Sequence, residues 1–598
     1  MRIPTILCLA FTACCLLTPV AAQAQELDRL VPPDSIFFLR IENLDRTRER
    51  FKQSPLHALW SDEAVTKFVA KPLEQWSKFI TEQKDEYGVT LEDVVEVISG
   101  SLSIAVTSFE MGAEADGGAL DVQMVGMAEF GENADRAREL IEKIEEADSE
   151  KLRRFEEEFR GVTIVYHLPR EGEGEDGEAP TEPDACYVLD GATFYVASSL
   201  DSMRKLIAMR ETEDAAVLAD NEVYRKVCAR TGEKADLLAY VAAQPMMAGF
   251  AKQFAEGFAE GSGVAPEEEA GASEFRRILD ALGLGAAEGA AFQARIGREG
   301  VEARMFLSSP GPKAGIMKFF SGANSALTLP AFVPEDIIQA STLILDIEGI
   351  WAEVYKVAEA MQPGSTQMMK MGVEQMKAST GIDFEADVIG SLGKEVTWYV
   401  RSNPDAPGLD FGGGGAVPSL PMAVVTVELT DKDKMEGVLN IAQMLSGGAM
   451  QVEEYIGWRI RTIQAGLPMT PAIALLPGRL AFAMNVEDLR DIIRRQGKEV
   501  KGANEMPGLA RAMEYVPANR IMLSIAHEAK ALHQSAIMNS LNMAGGENEV
   551  VDMALFPSEE VLTKYLGVGV TSMTNEEDGV SYVYFLSFPT NDSEDEDE

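Results

Sequence analysis

Cysteine and histidine are scarce in this chain. Its 598 residues include five cysteines and four histidines, and three of the cysteines lie at positions 8, 14 and 15. The other two, Cys186 and Cys228, are too few for a thiolate metal site or for a fold held by several disulfides. A single disulfide and two separate buried thiols both stay open, because spacing along the chain does not fix disulfide geometry.

Basic residues are few compared with acidic ones. Lys and Arg number 53 against 97 Asp and Glu, which gives a formal net charge of −44 at pH 7. No run of basic residues compensates, so the chain repels nucleic-acid phosphates and anionic lipid headgroups. We therefore expect no nucleic-acid partner.

Long apolar runs are missing beyond the first residues. The opening MRIPTILCLAFTACCLLTPVAAQAQ combines Arg2, an apolar stretch over 6–17 and the small-residue end Ala22-Gln23-Ala24. This pattern is typical of a secretory signal peptide, here residues 1–24, and predicts a periplasmic or secreted protein. No later run reaches the roughly 18 apolar residues of a spanning helix, so no transmembrane segment is expected after cleavage. Lipid attachment at Cys14 is a minor alternative, since an apolar segment follows it where a polar tether is expected.

The most informative feature is an internal repeat. The composition is globular, with 46% hydrophobic and 25% charged residues. Two segments, 27–310 and 331–590, show similar local patterns in the same order, starting with LVPPDSIFFLRIEN and FVPEDIIQASTLILDIEG. The matched residues of these openings are Val31, Pro32, Asp34, Leu39, Ile41 and Glu42 with Val333, Pro334, Asp336, Leu345, Ile347 and Glu348.

Further matches follow along both segments. Gly88, Glu92 and Gly100 align without a gap on Gly381, Glu385 and Gly393. Each segment then has a helical apolar face, and the paired positions are Ala137, Leu140, Ile141 and Ile144 with Met435, Val438, Leu439 and Ala442. Hairpin turns at Gly191 and Gly478 and the pairs Asn221-Glu222 and Asn504-Glu505 continue the correspondence. We interpret this as internal duplication.

The pattern of elements predicts an α+β fold. Short strands that follow each other in hairpins, with helices between them, favour mainly antiparallel sheets packed by helices. We predict two tandem copies of such a unit, over 27–310 and 331–590. A packed linker over 311–330 joins them, and an acidic disordered tail occupies 591–598.

No motif for catalysis, cofactor or metal is complete. His527-Glu528 and His533 imitate a zinc-protease helix, but the second histidine is not at i+4. Serine elbows, a phosphate loop and a dinucleotide fingerprint each fail on residue type or spacing. We therefore predict no catalytic residue, no cofactor and no metal ligand. The acids that both copies share, Asp34/Asp336 and Glu92/Glu385, lie at element boundaries, where helix capping is the simpler role.

Two clusters of apolar residues remain. Met368, Met369, Met371 and Met376 could hold copper(I) through thioethers, but Met369, Val373 and Met376 share one helix face, which favours core packing. Phe250, Phe254 and Phe258 form a stripe on a predicted helix. Core burial is one interpretation of the stripe, and a surface that faces a ligand or partner is the other.

The openings of the two copies resemble a family of uncharacterised exported bacterial proteins of the planctomycete type. The resemblance is carried by LVPPDSIFFLRIENLDRTRERFKQSPLHALWSD and FVPEDIIQASTLILDIEGIW. It implies export and architecture, but no activity. The sequence thus leaves two classes: a non-enzymatic module that binds a protein, an envelope component or a hydrophobic ligand, and a hydrolase that uses carboxylates. We expect the binding module.

Overall fold

The computed structural model describes residues 26–589, except for 73, 75–87, 112–119, 171–182, 213, 233–234, 249–267, 403–421, 465–469, 497–500 and 544–551. Contacts between Cα atoms group the described residues into two compact units. The first unit draws on 1–272, 287–308 and 550–552, and the second on 273–286, 309–549 and 553–598.

The first unit is built on ten strands. They are β1 (Phe37–Ile41), β2 (Leu102–Met111), β3 (Leu120–Glu129), β4 (Leu152–Phe159), β5 (Val162–Pro169), β6 (Cys186–Asp190), β7 (Thr193–Ala197), β8 (Leu237–Ala242), β9 (Gly289–Ile296) and β10 (Gly300–Ser308). All neighbours pair antiparallel, in the order β4-β5-β6-β7-β3-β2-β1-β8-β9-β10.

Helices cover both faces of this sheet. They are α1 (Leu44–Lys52), α2 (Pro55–Trp60), α3 (Leu91–Val97), α4 (Ala134–Asp148), α5 (Leu200–Glu211) and α6 (Glu222–Thr231). Residues 63–72 and 243–248 are also helical. Successive strand residues point to opposite faces. Accordingly Tyr195 packs in the cluster that contains α5 and α6, whereas its neighbour Phe194 packs in the cluster that contains α3 and α4.

The second unit also has ten strands. They are β11 (Ile337–Ile344), β12 (Leu392–Arg401), β13 (Met422–Leu429), β14 (Met450–Tyr455), β15 (Trp458–Ile463), β16 (Ala472–Leu476), β17 (Arg479–Ala483), β18 (Met522–His527), β19 (Val568–Glu576) and β20 (Gly579–Ser587). Their order is β14-β15-β16-β17-β13-β12-β11-β18-β19-β20, again antiparallel throughout.

The helices of the second unit follow the same strand intervals. Helix α7 (Glu268–Ala281) is grouped mostly with this unit. The others are α8 (Ile347–Met361), α9 (Ser365–Thr380), α10 (Lys432–Leu445), α11 (Val486–Arg495), α12 (Leu509–Ala512), α13 (Glu528–Met543) and α14 (Glu559–Thr563). The core is asymmetric: a large cluster packs under α11 and α12, and a small one under α10.

The predicted α+β class with mainly antiparallel sheets is confirmed. Each unit by itself has the same strand order, with helices α4 and α10 at the same place in it. Origin by duplication stays a prediction. Three predicted matches are out of register by the same amount: β1 ends at Ile41, but β11 ends at Ile344 and Ile347 is the first residue of α8. The mismatched pairs are Leu39 with Leu345, Ile41 with Ile347 and Glu42 with Glu348.

A glycine and a glutamate form the same contact in both units. The Ser101 amide donates to Glu129 Oε2 at 2.7 Å, and the Glu129 side chain lies directly over Gly100. In the second unit the Lys394 amide donates to Glu428 Oε2 at 3.0 Å, with Glu428 over Gly393. A Cβ on either glycine would overlap the glutamate, which explains why glycine is needed at both aligned positions.

The predicted linker packs against the second unit. Residues Gly315–Phe320 form a 3₁₀ turn in which Met317 is buried. The Gly315 amide donates to Glu353 on α8 at 3.0 Å, and the Lys318 ammonium lies 2.8 Å from the Asp346 carboxylate. The predicted tail, 591–598, lies outside the described residues. Within the described part of the chain, no helix is both long enough and apolar enough to cross a membrane.

Candidate functional site

Of the two apolar clusters singled out in the sequence, the structure describes the methionines but not the phenylalanines. Phe250, Phe254 and Phe258 lie outside the described residues. The face predicted to pack in the core is packed only in part: Met369 and Val373 on α9 are half-buried and Met376 is 37% exposed, while Met368 and Met371 are 57% and 61% exposed. Neither α8 nor α9 contains a buried residue, because the two helices form a hairpin that leaves much of its surface open.

The two cysteines of the folded units are free thiols. Cys186 on β6 is buried and Cys228 on α6 is half-buried. Burial raises the pKa of both thiols to about 12. Each therefore stays protonated at neutral pH and is a poor nucleophile.

The shared acids are not helix caps where their side chains are described. Asp336 pairs with Arg401 at 2.7 Å. Glu385 accepts hydrogen bonds from the Tyr355 hydroxyl at 2.8 Å and from Trp351 Nε1 at 3.2 Å, which ties it to α8. The capping expectation is wrong for these two. The side chain of Glu92 is outside the described set, and Asp34 is exposed.

The zinc-like sequence at the start of α13 does not assemble a site. His527 ends β18, and burial lowers its pKa. Burial also raises the pKa of Glu528, against a hydrogen bond with Tyr584. Among the described residues, no three His, Cys, Asp or Glu side chains are grouped so that they could hold a metal.

An apolar cleft lies between α3 and α4 on one face of the first unit, and we call it the α3–α4 cleft. It is narrow, with an open volume of about 40 Å³. Every lining side chain is apolar: Val94, Val97, Ile98, Ala128, Phe130, Ala137, Leu140, Ile141, Ile144 and Phe194. The rings of Phe130 and Phe194 close its floor with their centroids 6.0 Å apart.

Local sequence fixes both walls of the α3–α4 cleft. The Thr90 hydroxyl accepts from the Asp93 amide at 3.1 Å, and Asp93 accepts from the Thr90 amide at 3.0 Å. This capping box starts α3. The opposite wall follows from the apolar face of α4, on which Ala137, Leu140 and Ile144 are buried against the sheet.

Polar contacts join the two walls. The Arg136 guanidinium on α4 lies 3.0 Å from Glu96 and 3.4 Å from Asp93, both on α3. The Asn133 amide nitrogen donates to the Val97 and Glu96 carbonyls at 3.4 and 3.5 Å. The side chains of Arg136, Asp93 and Glu96 are each 39–49% exposed, so these ion pairs are solvent-screened.

The small side chain of Ala137 leaves room in the cleft. At the aligned position of α10 in the second unit stands Met435, which is buried and packs with Leu439 and Leu475. The aligned helix position thus holds a small side chain in the first unit and a large buried one in the second. The internal repeat pairs Ala137 with Met435 but gives no sign that a cleft follows from it.

A second, open hollow in the first unit is polar. It has a volume of about 340 Å³ and is lined by residues of α6, β9 and β10, among them Gln293, Arg295, Glu302 and Arg304. Arg304 and Glu302 pair with each other at 2.5 Å. The Thr231 hydroxyl in this lining donates to the Cys228 carbonyl at 2.9 Å.

Comparisons with known proteins add little. No protein-family model matches the chain, and no curated protein sequence matches it. A solved structure titled "Structure of crystal form I of TP0453" shares 8% identity with a TM-score of 0.20, over 51% of this chain and 90% of that one. A TM-score this low supports no conclusion on fold or function.

Proposed function

We propose that this protein is an exported, non-enzymatic binding protein that takes an alkyl chain into the α3–α4 cleft. The lining carries the proposal: it contains only apolar side chains and none that could act as an acid, base or nucleophile. The signal-peptide pattern over 1–24 supports export, and the opening resembles exported bacterial proteins. We also propose membership of that family.

The shape of the cleft favours a single alkyl chain. Its walls are mainly Val, Leu and Ile, and its open volume of about 40 Å³ admits even one alkyl chain only after α3 and α4 separate. A fused ring system would require a wider separation than a single chain. Burying each methylene of a chain contributes about 0.8 kcal/mol. A chain of several carbons therefore offsets a modest rearrangement of α3 against α4.

Separation of the two helices breaks few polar contacts. It breaks the Arg136 contacts with Asp93 and Glu96, and exposed ion pairs contribute only about 0–1 kcal/mol each. It also breaks the long hydrogen bonds from Asn133 to the Val97 and Glu96 carbonyls. Helix α3 has only seven residues, Leu91–Val97, so its displacement disturbs only a short stretch of backbone. We infer that the ligand enters between α3 and α4.

Calorimetric titration with 1-decanol tests this proposal. Decanol supplies an uncharged ten-carbon chain, and we expect one site with a negative heat-capacity change, as apolar burial requires. Ala137→Met should weaken binding at least tenfold, because methionine fills the cleft as Met435 fills its place in the second unit.

Glu142→Met is the matched control. Glu142 is exposed on the same helix, so this variant adds a methionine outside the cleft and should bind decanol like the parent. Equal decanol binding by the parent and Ala137→Met would refute the cleft as the site. Ala137→Met adds volume at a buried position and should cost about 1–3 kcal/mol of folding free energy. Denaturant unfolding and circular dichroism of this variant therefore establish that it is still folded under the titration conditions.

A further inference from the structure

We infer that the natural ligand of the α3–α4 cleft is a single-chain amphiphile with a positively charged head group. This inference rests on the proposed function and specifies the ligand class. The alkyl chain occupies the apolar lining, and the cationic head stays at the rim, where the two helices carry their charges.

The charge of the two walls is the first argument. Among its described side chains, helix α3 carries the acids Asp93 and Glu96 and no base. Helix α4 reads ADRARELIEKIEEAD, with six acids and three bases. A head group at the rim is therefore in a negative field, which the net charge of −44 for the whole chain reinforces.

Two of the three basic residues of α4 are paired with carboxylates, which is the second argument. Arg136 contacts both Asp93 and Glu96, so this trio has one excess negative charge. Arg138 pairs with Asp135 at 2.8 Å.

The last of these basic residues, Lys143, is flanked on its helix surface by Glu139 at i−4 and Glu146 at i+3. When the helices separate, the group of Arg136, Asp93 and Glu96 still has one excess negative charge, so the rim keeps its negative charge.

The lining supplies the third argument. It contains no side-chain hydrogen-bond donor, so nothing inside the cleft would stabilise an anionic head drawn inward. A cationic head, by contrast, finds Asp93 and Glu96 beside Val94 and Val97, the lining residues of α3. Both carboxylates are partly exposed and within reach of a head group at the surface.

Three ligands with chains of nearly the same length separate the contribution of the head group. Decyltrimethylammonium and 1-decanol have a ten-carbon alkyl chain, and decanoate has nine alkyl carbons and a carboxylate carbon. Titrations at pH 8 in about 10 mM salt compare them below their micelle concentrations. We expect the ammonium to bind most tightly and decanoate at least tenfold more weakly than the ammonium. At about 0.5 M salt the difference should shrink severalfold, because the Debye length falls to a few ångströms.

The variant Glu96→Gln tests whether the charged head group binds at this rim. Removal of this carboxylate also removes one Arg136 contact and so eases opening of the cleft for all three ligands alike. Relative to decanol, the ammonium should therefore bind severalfold more weakly and decanoate more tightly than in the parent. Glu142→Gln is the matched control: it changes the formal charge equally, but Glu142 contacts neither the lining nor Arg136, so its effect should be clearly smaller.

The outcomes distinguish the two proposals. If decanol binds in an Ala137-dependent way but decanoate binds as well as the ammonium, the head-group inference is wrong and the proposed function stands. If none of the three ligands responds to Ala137→Met, the proposed function fails together with it. If the Glu96→Gln variant prefers the ammonium over decanoate as strongly as the parent does, the preference comes from the charge of the whole protein. The assignment of the head group to this rim is then wrong.

Discussion

Asp488 on α11 is a buried carboxylate in the second unit, with only 2% of its surface exposed. Burial raises its pKa from 3.8 to about 6, although the Arg401 guanidinium opposes that shift. Asp491, one turn further on, behaves in the opposite way. Burial would raise its pKa, but the hydrogen bond and charge of Arg495 outweigh burial and hold the pKa below its usual value.

We predict that Asp488→Asn stabilises the protein above pH 6. The folded-state pKa lies above the unfolded value of 3.8, so the native state holds the proton more tightly and stability declines as pH rises from about 4 through 6. Asparagine removes this loss, and the free energy of unfolding at pH 8 should rise by about 1–3 kcal/mol. Denaturant unfolding of the parent and the variant at pH 8 and at pH 5 measures the difference in free energy of unfolding. We expect the stabilisation by asparagine to be smaller at pH 5.

Asp491→Asn is the comparison with the opposite sign. Since the folded-state pKa of Asp491 is lowered, its stabilising contribution is present above the unfolded pKa and is lost as pH falls. This variant should therefore be less stable than the parent at pH 8. Destabilisation by both substitutions would contradict the raised pKa of Asp488.

Thiol reactivity is a second prediction at the residue scale. Because burial raises the pKa of Cys186 and Cys228 to about 12, neither should react with dithiobis(nitrobenzoate) in the native protein at pH 8. In guanidinium without reductant, the mature chain should release two equivalents of thionitrobenzoate. Zero equivalents after denaturation would instead demonstrate a disulfide, the alternative that the sequence left open.

At the scale of elements, the glycine–glutamate contact connects the start of a long strand to the end of the next. Gly100 precedes β2 and Glu129 ends β3, and Gly393 and Glu428 hold the equivalent places on β12 and β13. A Cβ at residue 100 would come within 2.6 Å of the Glu129 Cβ. The glutamate would have to leave the Ser101 amide.

We predict that Gly100→Ala costs about 1–3 kcal/mol of folding free energy, as overpacking does elsewhere. Gly393→Ala should cost less, because Glu428 is exposed and can move whereas Glu129 is buried. Denaturant unfolding of both variants measures the difference.

A double-mutant cycle tests the mechanism. Glu129→Ala removes the side chain that alanine at residue 100 would meet, so the pair Gly100→Ala/Glu129→Ala should lose less than the sum of the single changes. Strict additivity would assign the cost of Gly100→Ala to the backbone rather than to this contact.

Apolar periodicity predicted helix α4 correctly but aligned the openings of the two units wrongly. The helical spacing of Ala137, Leu140 and Ile144 predicted α4 and its buried face, and both are confirmed. The match of Ile41 with Ile347 failed, because apolar residues recur in strands and helices alike and a three-residue shift preserves the pattern. The helix caps Asn43 and Asp346 mark the register more reliably, since each side chain accepts from a backbone amide.

At the scale of the whole molecule, export is the property most open to a direct test. We predict that the protein recovered from its own source begins at Gln25, after cleavage behind Ala24. Intact mass under denaturing conditions measures this. A mass that includes residues 1–24 would refute cleavage, and a chain that begins at Cys14 with an added acyl mass would establish the lipoprotein alternative.

Composition and local pattern alone determined several properties of this protein. The charge balance, the α+β class, the hairpins and the apolar faces of α4 and α10 depend on residue type and spacing along the chain, and these are present in the sequence itself. The signal-peptide pattern is of the same kind.

Only the tertiary structure decided whether a cleft lies between one of those helix faces and its neighbouring helix. Ala137 and Met435 occupy the same helix position, yet a cleft depends on the distance to α3, and that distance is set by contacts with Arg136 and Asn133. The exposure of Met368 and Met371 could not be inferred from the sequence either. An apolar helix face shows that another segment can pack there, but not that one does. Burial and gaps are properties of several segments together, which is why local pattern could not supply them.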